Sequence, residues 1–158
     1  MKIYGGVLTR GVTLSLKWTE FLELTKVRLS SSVVFSSIAG YLLAFNQFSF
    51  GTLFLLTVGG YAMVGASNVF NQVMEKELDF LMNRTRNRPL PSGNVTPSTA
   101  LILGSLLTLL GMSCLLAINI KTALFGGLSI LLYTLVYTPL KTRTPLAVLV
   151  GAVPGAIP

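Results

Sequence analysis

Between Arg28 and Glu75 the chain runs for 46 residues without a single lysine, arginine, aspartate or glutamate. A helix that crosses a membrane needs about 20 predominantly apolar residues, so this stretch alone can hold two crossings. Two more uncharged stretches follow, residues 89–120 and residues 122–140, and each is long enough for one crossing. Apolar helices of soluble proteins still carry a polar face, which these segments lack. The pattern therefore favours an all-α integral membrane protein over a soluble helical one.

The uncharged stretches predict four membrane helices joined by short connections. A cytoplasmic or interfacial segment over residues 1–28 precedes a membrane domain over residues 29–158, and this first segment lacks the apolar run of a cleavable signal peptide. Residues 145–158 are too few to span and are predicted to begin a fifth helix, so we expect a truncated domain. The four predicted spans cover residues 30–44, 52–74, 98–117 and 123–137.

The net charge of +7 would suit a nucleic-acid-binding protein, but the basic residues lie at the ends of the predicted spans. Five lysines or arginines precede the first span, none lies in the turn after it, four follow the second span, one follows the third and two follow the fourth. Cytoplasmic loops of membrane proteins carry an excess of positive residues. The alternation therefore predicts a cytoplasmic N-terminus, and it argues against nucleic acid as a partner.

Three of the five acidic residues in the chain fall within five positions directly after the second predicted span. On one helix turning about 100° per residue, two of these acids share a face with three amides. Carboxylates and amides are costly near a membrane, and oxygen ligands suit Mg²⁺ that bridges a phosphate. A solvated helix end, in which the acids balance nearby cations, is the alternative, and the spacing alone leaves both open. The face comprises the candidate metal ligands Asn71, Glu75 and Asp79 and a supporting polar stripe, Asn68 and Gln72.

The next segment, MNRTRNRPLPSG, carries Arg84, Arg86 and Arg88 at alternate positions. Guanidinium groups match phosphate oxygens in bidentate geometry, although arginines alone are also typical of a cytoplasmic anchor. A carboxylate stripe beside an arginine cluster is the combination that a metal-bound diphosphate requires. We therefore predict that these three arginines bind a diphosphate.

A second polar cluster follows the fourth predicted span, where the segment YTPLKTRT contains Tyr137, Lys141 and Arg143. Two spans separate it from the acidic loop, and an even number of crossings returns the chain to the same side of the membrane. Lys141 and Arg143 are therefore predicted to meet the diphosphate, with Tyr137 supplying a hydroxyl group. The alternative interpretation is a simple aromatic and lysine anchor at the membrane interface.

These residues resemble the UbiA superfamily of intramembrane prenyltransferases, in which an Asn-xxx-Asp-xxx-Asp motif and a Tyr-xxx-Lys motif serve a polyprenyl diphosphate. Asn71, Glu75 and Asp79 match the first motif, with glutamate in the middle place, and Tyr137 and Lys141 match the second. The resemblance implies that these five residues are catalytic, that Mg²⁺ is the cofactor, and that the chain is the first half of a nine-helix bundle. The superfamily's second acidic motif is missing here, so this chain alone is predicted to be inactive.

Within that superfamily, the segments LTKVRL and YTPLKTRTPLAVLVGAVPGAIP resemble the protoheme IX farnesyltransferase branch, although Val27 stands where proline is usual. The branch implies transfer of a farnesyl group from farnesyl diphosphate to a vinyl group of heme B, giving heme O. It also implies heme A synthase or cytochrome oxidase assembly proteins as partners. The brief basic N-terminus lacks an Arg-rich, Ser-rich transit pattern, which favours a bacterial inner membrane over the alternative, a mitochondrial one. The alternatives are an aromatic quinone precursor as the acceptor, or a non-catalytic scaffold or transporter.

Overall fold

The computed structural model describes residues 16–44, 47–141, 144 and 146–156, and every regular element within them is helical, as the sequence predicts. One short helix precedes the first long one, and a π-helical segment interrupts the last long one. The elements are α1 (Trp18–Thr25), α2 (Val27–Ala44), α3 (Phe50–Met74), α4 (Lys76–Leu81), α5 (Pro97–Ile118), α6 (Ile120–Leu131), the π-helical segment (Leu132–Tyr137), α7 (Thr138–Leu140) and α8 (Ala147–Ala156).

Four helical stretches are long and apolar enough to cross a membrane, which confirms the predicted number of spans. Helix α3 is the central one, because it packs against α2 and α5 and also contacts α1 and α6. At about 1.5 Å per residue it is roughly 37 Å long, which exceeds the hydrocarbon thickness of about 30 Å. Helix α8 has ten residues and is too short to cross. The four spans are Val27–Ala44, Phe50–Met74, Pro97–Ile118 and Ile120–Leu140.

The predicted N-terminal segment is described only from residue 16 onward, where it forms α1. Residues 1–15 lie outside the described part of the chain, and so do Arg143 and the last two residues of the predicted fifth helix. The division into an interfacial segment and a membrane domain at residue 28 therefore stays a prediction.

Three of the long helices begin at side chains that cap them. The Ser49 hydroxyl accepts a hydrogen bond from the Thr52 backbone N–H (3.3 Å) at the start of α3. Thr96 does the same for α5, directly before Pro97, and Asn119 does so for α6. Because the first N–H groups of a helix have no partner within it, such caps fix where each span starts. The short connections between spans are thus set by local sequence.

Helices α3 and α5 approach closely at paired glycines. A Cβ atom added to Gly59 would lie 2.9 Å from the Cβ of Cys114, and one added to Gly111 would lie 3.0 Å from the carbonyl oxygen of Gly59. Small residues let membrane helices pack backbone to backbone, which favours association through van der Waals contact. The glycines therefore hold the central pair of helices together.

The prediction of one continuous helix from Asn68 through Asp79 is wrong. Helix α3 ends at Met74, and Glu75 adopts φ −97° and ψ 3° before α4 begins. Backbone hydrogen bonds still cross this joint, from Glu75 N–H to the carbonyl of Asn71 (3.0 Å) and from Asp79 N–H to the carbonyl of Glu75 (2.8 Å). The regular helix is therefore interrupted at Glu75, although hydrogen bonds of helical spacing continue across the joint.

The fourth span, predicted as a regular helix, ends in the π-helical segment. The backbone N–H of Thr138 donates to the carbonyl of Tyr133, five residues earlier, instead of the usual four. Such turns are rare and occur mostly as short insertions, frequently at functional sites. The extra residue in the turn changes the helical register between Tyr133 and Thr138, a stretch that includes Tyr137.

The loop from Met82 to Thr96 folds back onto the helices rather than extending into solvent. Leu90 is fully buried in a cluster with Leu24 of α1, Val69 of α3 and the loop residue Val95. Burial of a leucine side chain contributes about 1.5–3 kcal/mol, which anchors the loop. The anchored position lies two residues after Arg88, whose side chain is thereby held close to α3 and α4.

Candidate functional site

Two ion pairs lie where the second and fourth spans meet the loops. Lys141, after α7, pairs with Glu75 at the joint between α3 and α4. Arg88, on the anchored loop, donates to Oδ2 of Asp79 at 2.7 Å. Both carboxylates are buried, with 9% and 7% of their side chains exposed, whereas about a third of each cation is exposed. The structure thus brings the two predicted clusters together around one pair of buried acids.

Both pairs are direct contacts between opposite charges. Arg88 and Asp79 form a directional, charge-assisted hydrogen bond, the stronger kind of polar contact. The buried Oε1 atom of Glu75 lies against the Lys141 ammonium.

Asn71 connects α3 to the π-helical segment. Its side-chain amide donates to the Thr138 hydroxyl at 3.0 Å, and that hydroxyl donates in turn to the carbonyl of Tyr133 at 2.9 Å. Both Asn71 and Thr138 are buried. Because the amide nitrogen makes this bond, the side-chain carbonyl of Asn71 is turned to the other side as an acceptor. Sequence reasoning missed Thr138, since the π-helical turn that brings it to Asn71 leaves no pattern in the sequence.

Tyr137 is packed by aromatic and backbone contacts. Its ring stacks on Tyr133, with 5.2 Å between centroids, and the Lys141 ammonium lies 6.0 Å from its centroid. A Cβ atom added to Gly151 of α8 would lie 2.7 Å from the Tyr137 ring, so only glycine allows this approach. Gly151 lies in the segment YTPLKTRTPLAVLVGAVPGAIP, and ring packing gives a physical reason for glycine at that position.

Asn68 and Gln72, predicted as a supporting stripe, bind backbone rather than the acids. Gln72 donates to the carbonyl of Leu24 at 2.8 Å, and Asn68 donates to the carbonyl of Thr25 at 3.3 Å. The Ser30 hydroxyl also donates to the Thr25 carbonyl, at 2.7 Å. The last carbonyls of a helix lack partners within it, so these side chains satisfy the C-terminal end of α1. They fix the junction between α1 and α2.

Lys26 occupies that junction, and sequence reasoning did not select it. Its backbone is left-handed, with φ 48° and ψ 59°, a conformation that costs a non-glycine residue about 1–2 kcal/mol. Among the described residues it is the one non-glycine with positive φ. Proline after a lysine would have indicated a helix break, but this chain has Val27 there, so the signal is absent from the sequence.

Four charged groups of the site act on the Lys26 ammonium. Burial lowers the pKa of Lys26 below its ordinary value, and the Arg88 guanidinium and the Lys141 ammonium lower it further. The carboxylates of Glu75 and Asp79 act in the opposite direction without offsetting the decrease. Lys26 therefore belongs electrostatically to the same cluster as the two ion pairs.

The three arginines of the loop are not equivalent. Arg88 reaches Asp79, whereas the side chains of Arg84 and Arg86 are exposed and form no ion pair within the described part of the chain. Between them, the buried Thr85 hydroxyl donates to the backbone carbonyl of Asp79 at 2.9 Å. The loop thus has an inner side, with Thr85 and Arg88, and an outer side, with Arg84 and Arg86. Arg143 lies outside the described residues.

Similarity to known proteins identifies the family of this chain. A model of the UbiA prenyltransferase family matches residues 33–158. The chain belongs to the UbiA prenyltransferase family. Its helices also superpose on a solved structure from a study titled as describing digeranylgeranylglyceryl phosphate synthase in membranes, with a TM-score of 0.79 and 25% identity. That match covers 88% of this chain and 50% of the solved one. The membrane-helical UbiA fold predicted from the motifs is thereby confirmed.

Curated relatives within the UbiA family carry one name. The protoheme IX farnesyltransferase of Flavobacterium psychrophilum is 56% identical over 144 residues, covering 89% of this chain and 48% of the relative. The protein of that name from Christiangramia forsetii is also 56% identical, over 140 residues, covering 89% of this chain and 47% of the relative. The chain therefore spans about half the length of the curated relatives it matches.

UbiA-family prenyltransferases generally depend on a divalent metal. In the part of the chain that the structure describes, no group of three histidine, cysteine, aspartate and glutamate side chains could hold a metal by itself. Glu75 and Asp79 nevertheless offer buried carboxylates, and Asn71 offers an amide carbonyl. Mg²⁺ keeps several waters and uses one or two carboxylates together with substrate phosphates. The donors present therefore fit a metal that is shared with a bound diphosphate.

Proposed function

We propose that this chain supplies the diphosphate-binding half of an enzyme that transfers a farnesyl group from farnesyl diphosphate to a vinyl group of heme B, giving heme O. The diphosphate leaves as the vinyl group forms the new C–C bond, and water adds to the neighbouring vinyl carbon with loss of a proton. The observation that carries the proposal is the buried pair of acids, Glu75 and Asp79, each held by a cation from a different motif. The acceptor is inferred from the name shared by relatives that are 56% identical.

Each residue of the site would have a distinct task. Glu75 and Asp79, helped by Asn71, would hold Mg²⁺, which would supply positive charge that neutralises part of the diphosphate charge. Lys141 and Arg88, paired with these acids in the structure, would turn to the diphosphate oxygens. They would stabilise the charge that develops on the leaving group as the allylic C–O bond breaks. Tyr137 would present its hydroxyl beside Lys141.

The exposed arginines would act before binding. Arg84 and Arg86 lie on the outer face of the loop, and they would attract the anionic headgroup of the substrate over a distance. Arg143 stays a predicted diphosphate-binding residue. Such attraction raises the rate of association more than the affinity of the bound state. We therefore propose a division between inner cations that bind the diphosphate and outer ones that guide it.

The apolar part of the substrate would enter the membrane. A cavity of about 580 Å³ lies between α2, α3 and α6, and most of its lining is apolar, with Val33, Val34 and Leu56 among its walls. A dry apolar channel would hold the prenyl tail and shield a carbocation-like centre from water. The chain contains no histidine, so this half would offer no imidazole to the heme iron.

The test is a chimera in which this chain replaces the matching half of the Flavobacterium psychrophilum relative. Membranes that contain it would receive labelled farnesyl diphosphate with either heme B or 4-hydroxybenzoate. We expect heme O from the first acceptor, whereas product from the benzoate alone would overturn the assignment of the acceptor. Glu75→Gln or Asp79→Asn should each lower turnover about 10²- to 10³-fold, because stabilisation of developing charge is lost. The matched control is Glu77→Gln, since Glu77 is exposed on α4. Turnover that survives both site changes would refute the metal assignment.

We also propose that the N-terminus and both motif loops face the cytoplasm of a cell inner membrane. The sole cysteine, Cys114, can be changed to alanine to give a cysteine-free background. In spheroplasts, a membrane-impermeant maleimide should label Gln47→Cys in the turn after α2 and leave Ser92→Cys in the acidic loop unlabelled. Both positions are exposed, so accessibility differs only by side of the membrane. The reverse labelling would overturn the proposed orientation. Contacts with heme A synthase or cytochrome oxidase assembly proteins stay predictions.

A further inference from the structure

The polar site contains one more cation than its acids can pair. Lys141 pairs with Glu75 and Arg88 pairs with Asp79. The third cation is Lys26, which lies two residues after the Leu24 carbonyl that Gln72 binds, one turn of α3 before Glu75. All five acidic residues of the chain lie in its described part, and none of them forms an ion pair with Lys26 there. A partly buried ammonium among two other cations is electrostatically unfavourable unless an anion joins it. The site therefore has an excess of positive charge that favours binding of an anion.

The position of Lys26 is set by buried side chains of α3 and α2. Gln72 and Asn68 bind the two carbonyls that directly precede Lys26, those of Leu24 and Thr25, and Ser30 binds the second of them as well. All three of these polar side chains are buried. A left-handed backbone at a lysine persists only where the surrounding structure over-determines it. These hydrogen bonds supply that constraint.

We propose that Lys26 binds a phosphate oxygen of the substrate diphosphate, and that Gln72 and Asn68 are positioning residues that hold it there. The inference rests on the proposed function, because it adds a residue to the same diphosphate site. Lys141 and Arg88 must leave a carboxylate before they can turn to a phosphate, whereas Lys26 has no ion pair to break. Lys26 is thus the cation that is ready for the incoming diphosphate.

The experiment measures binding of inorganic diphosphate, with Mg²⁺, to the 158-residue chain in nanodiscs of neutral phosphatidylcholine, by calorimetry. Lys26→Asn removes the charge and keeps a residue that tolerates the left-handed backbone. Its affinity should fall about 10- to 100-fold, which corresponds to loss of one charge-assisted contact, and Lys26→Arg should retain most of the affinity. Lys26→Gly is the second variant should the asparagine fail to fold. The matched control is Arg28→Gln, two residues away and exposed, which should bind like the unchanged chain.

A double-mutant cycle separates positioning from general stability. Gln72→Leu should weaken diphosphate binding in the unchanged chain and have little further effect in the Lys26→Asn background, because the side chain that it positions is then absent. A purely structural role for Gln72 would weaken binding equally in both backgrounds, which would overturn the positioning role.

A second arm distinguishes the diphosphate from a lipid headgroup as the source of the phosphate. If Lys26→Asn changes only the binding of the chain to anionic phosphatidylglycerol vesicles, the contact is with lipid and the inference is wrong. If the unchanged chain binds diphosphate and Lys26→Asn binds it equally, the inference fails while the proposed function stands. Absence of diphosphate binding by the unchanged chain would overturn both.

Discussion

Arg86 and Arg88 allow a test of whether geometry or mere charge makes this loop an anion-binding site. The two residues are identical and lie two positions apart on one loop, but Arg88 binds Asp79 at 2.7 Å and Arg86 is exposed. A hydrogen bond to a charged group contributes about 1.5–3 kcal/mol, which corresponds to roughly 10- to 100-fold in affinity. An exposed charge at the surface contributes about 0–1 kcal/mol, or less than about fivefold.

We therefore expect Arg88→Gln to weaken binding of magnesium diphosphate about 10- to 100-fold, and Arg86→Gln to weaken it less than about fivefold. Calorimetry on the chain in neutral nanodiscs measures both constants under one condition. Raising the salt concentration should reduce the effect of Arg86→Gln further, because exposed charges are screened, and should change that of Arg88→Gln little. Equal losses for the two variants, with equal salt dependence, would refute the division of the loop into inner and outer faces.

Three further predictions concern packing, the buried amide and the chain as a whole. Gly59→Ala should lower the free energy of unfolding in detergent by about 1–3 kcal/mol, because its Cβ would crowd Cys114. Gly51→Ala on the same helix should not, because its Cβ would lie 3.7 Å from the Ser49 hydroxyl, an ordinary contact. Equal thermal stability of the two variants would contradict the close approach at Gly59. Thr138→Val should reduce turnover of the chimera about 10- to 100-fold by leaving Asn71 unpaired, and Thr138→Ser should restore it; turnover unaffected by valine would exclude a role for this hydrogen bond. The purified chain alone should form no heme O, and product formation would show that this half contains a complete site.

The spans could be predicted because lipid imposes a simple rule on them. Every buried backbone group in a membrane must bond within its own helix, so uncharged length alone identifies the crossings. The starts of α3, α5 and α6 are also predictable from the sequence, since Ser49, Thr96 and Asn119 are residue types that cap helices. The motif spacing indicated which polar side chains come together, because two crossings return the chain to the same side.

The departures from regular helix could not be predicted from the sequence. The joint at Glu75, the π-helical turn before Thr138 and the left-handed backbone of Lys26 each depend on contacts between distant segments. Local propensity predicts none of them, because the residues involved fit an ordinary helix equally well. The roles of Gln72 and Asn68 were hidden for the same reason, since their partners are backbone carbonyls of another helix.

The pairing of every buried acid with a cation has a consequence for how ligands would enter. If a divalent cation bound alone and Glu75 turned to it, Lys141 would be left without a counter-charge. If a diphosphate bound alone and Arg88 turned to it, Asp79 would be left without a counter-charge. When both ligands bind, the two acids pair with the divalent cation and the two basic side chains pair with the diphosphate, so each of the four keeps an opposite charge beside it. Affinity for each ligand should then rise in the presence of the other, by one common factor. The resting ion pairs thus make the site selective for a complex of two opposite charges over either one by itself.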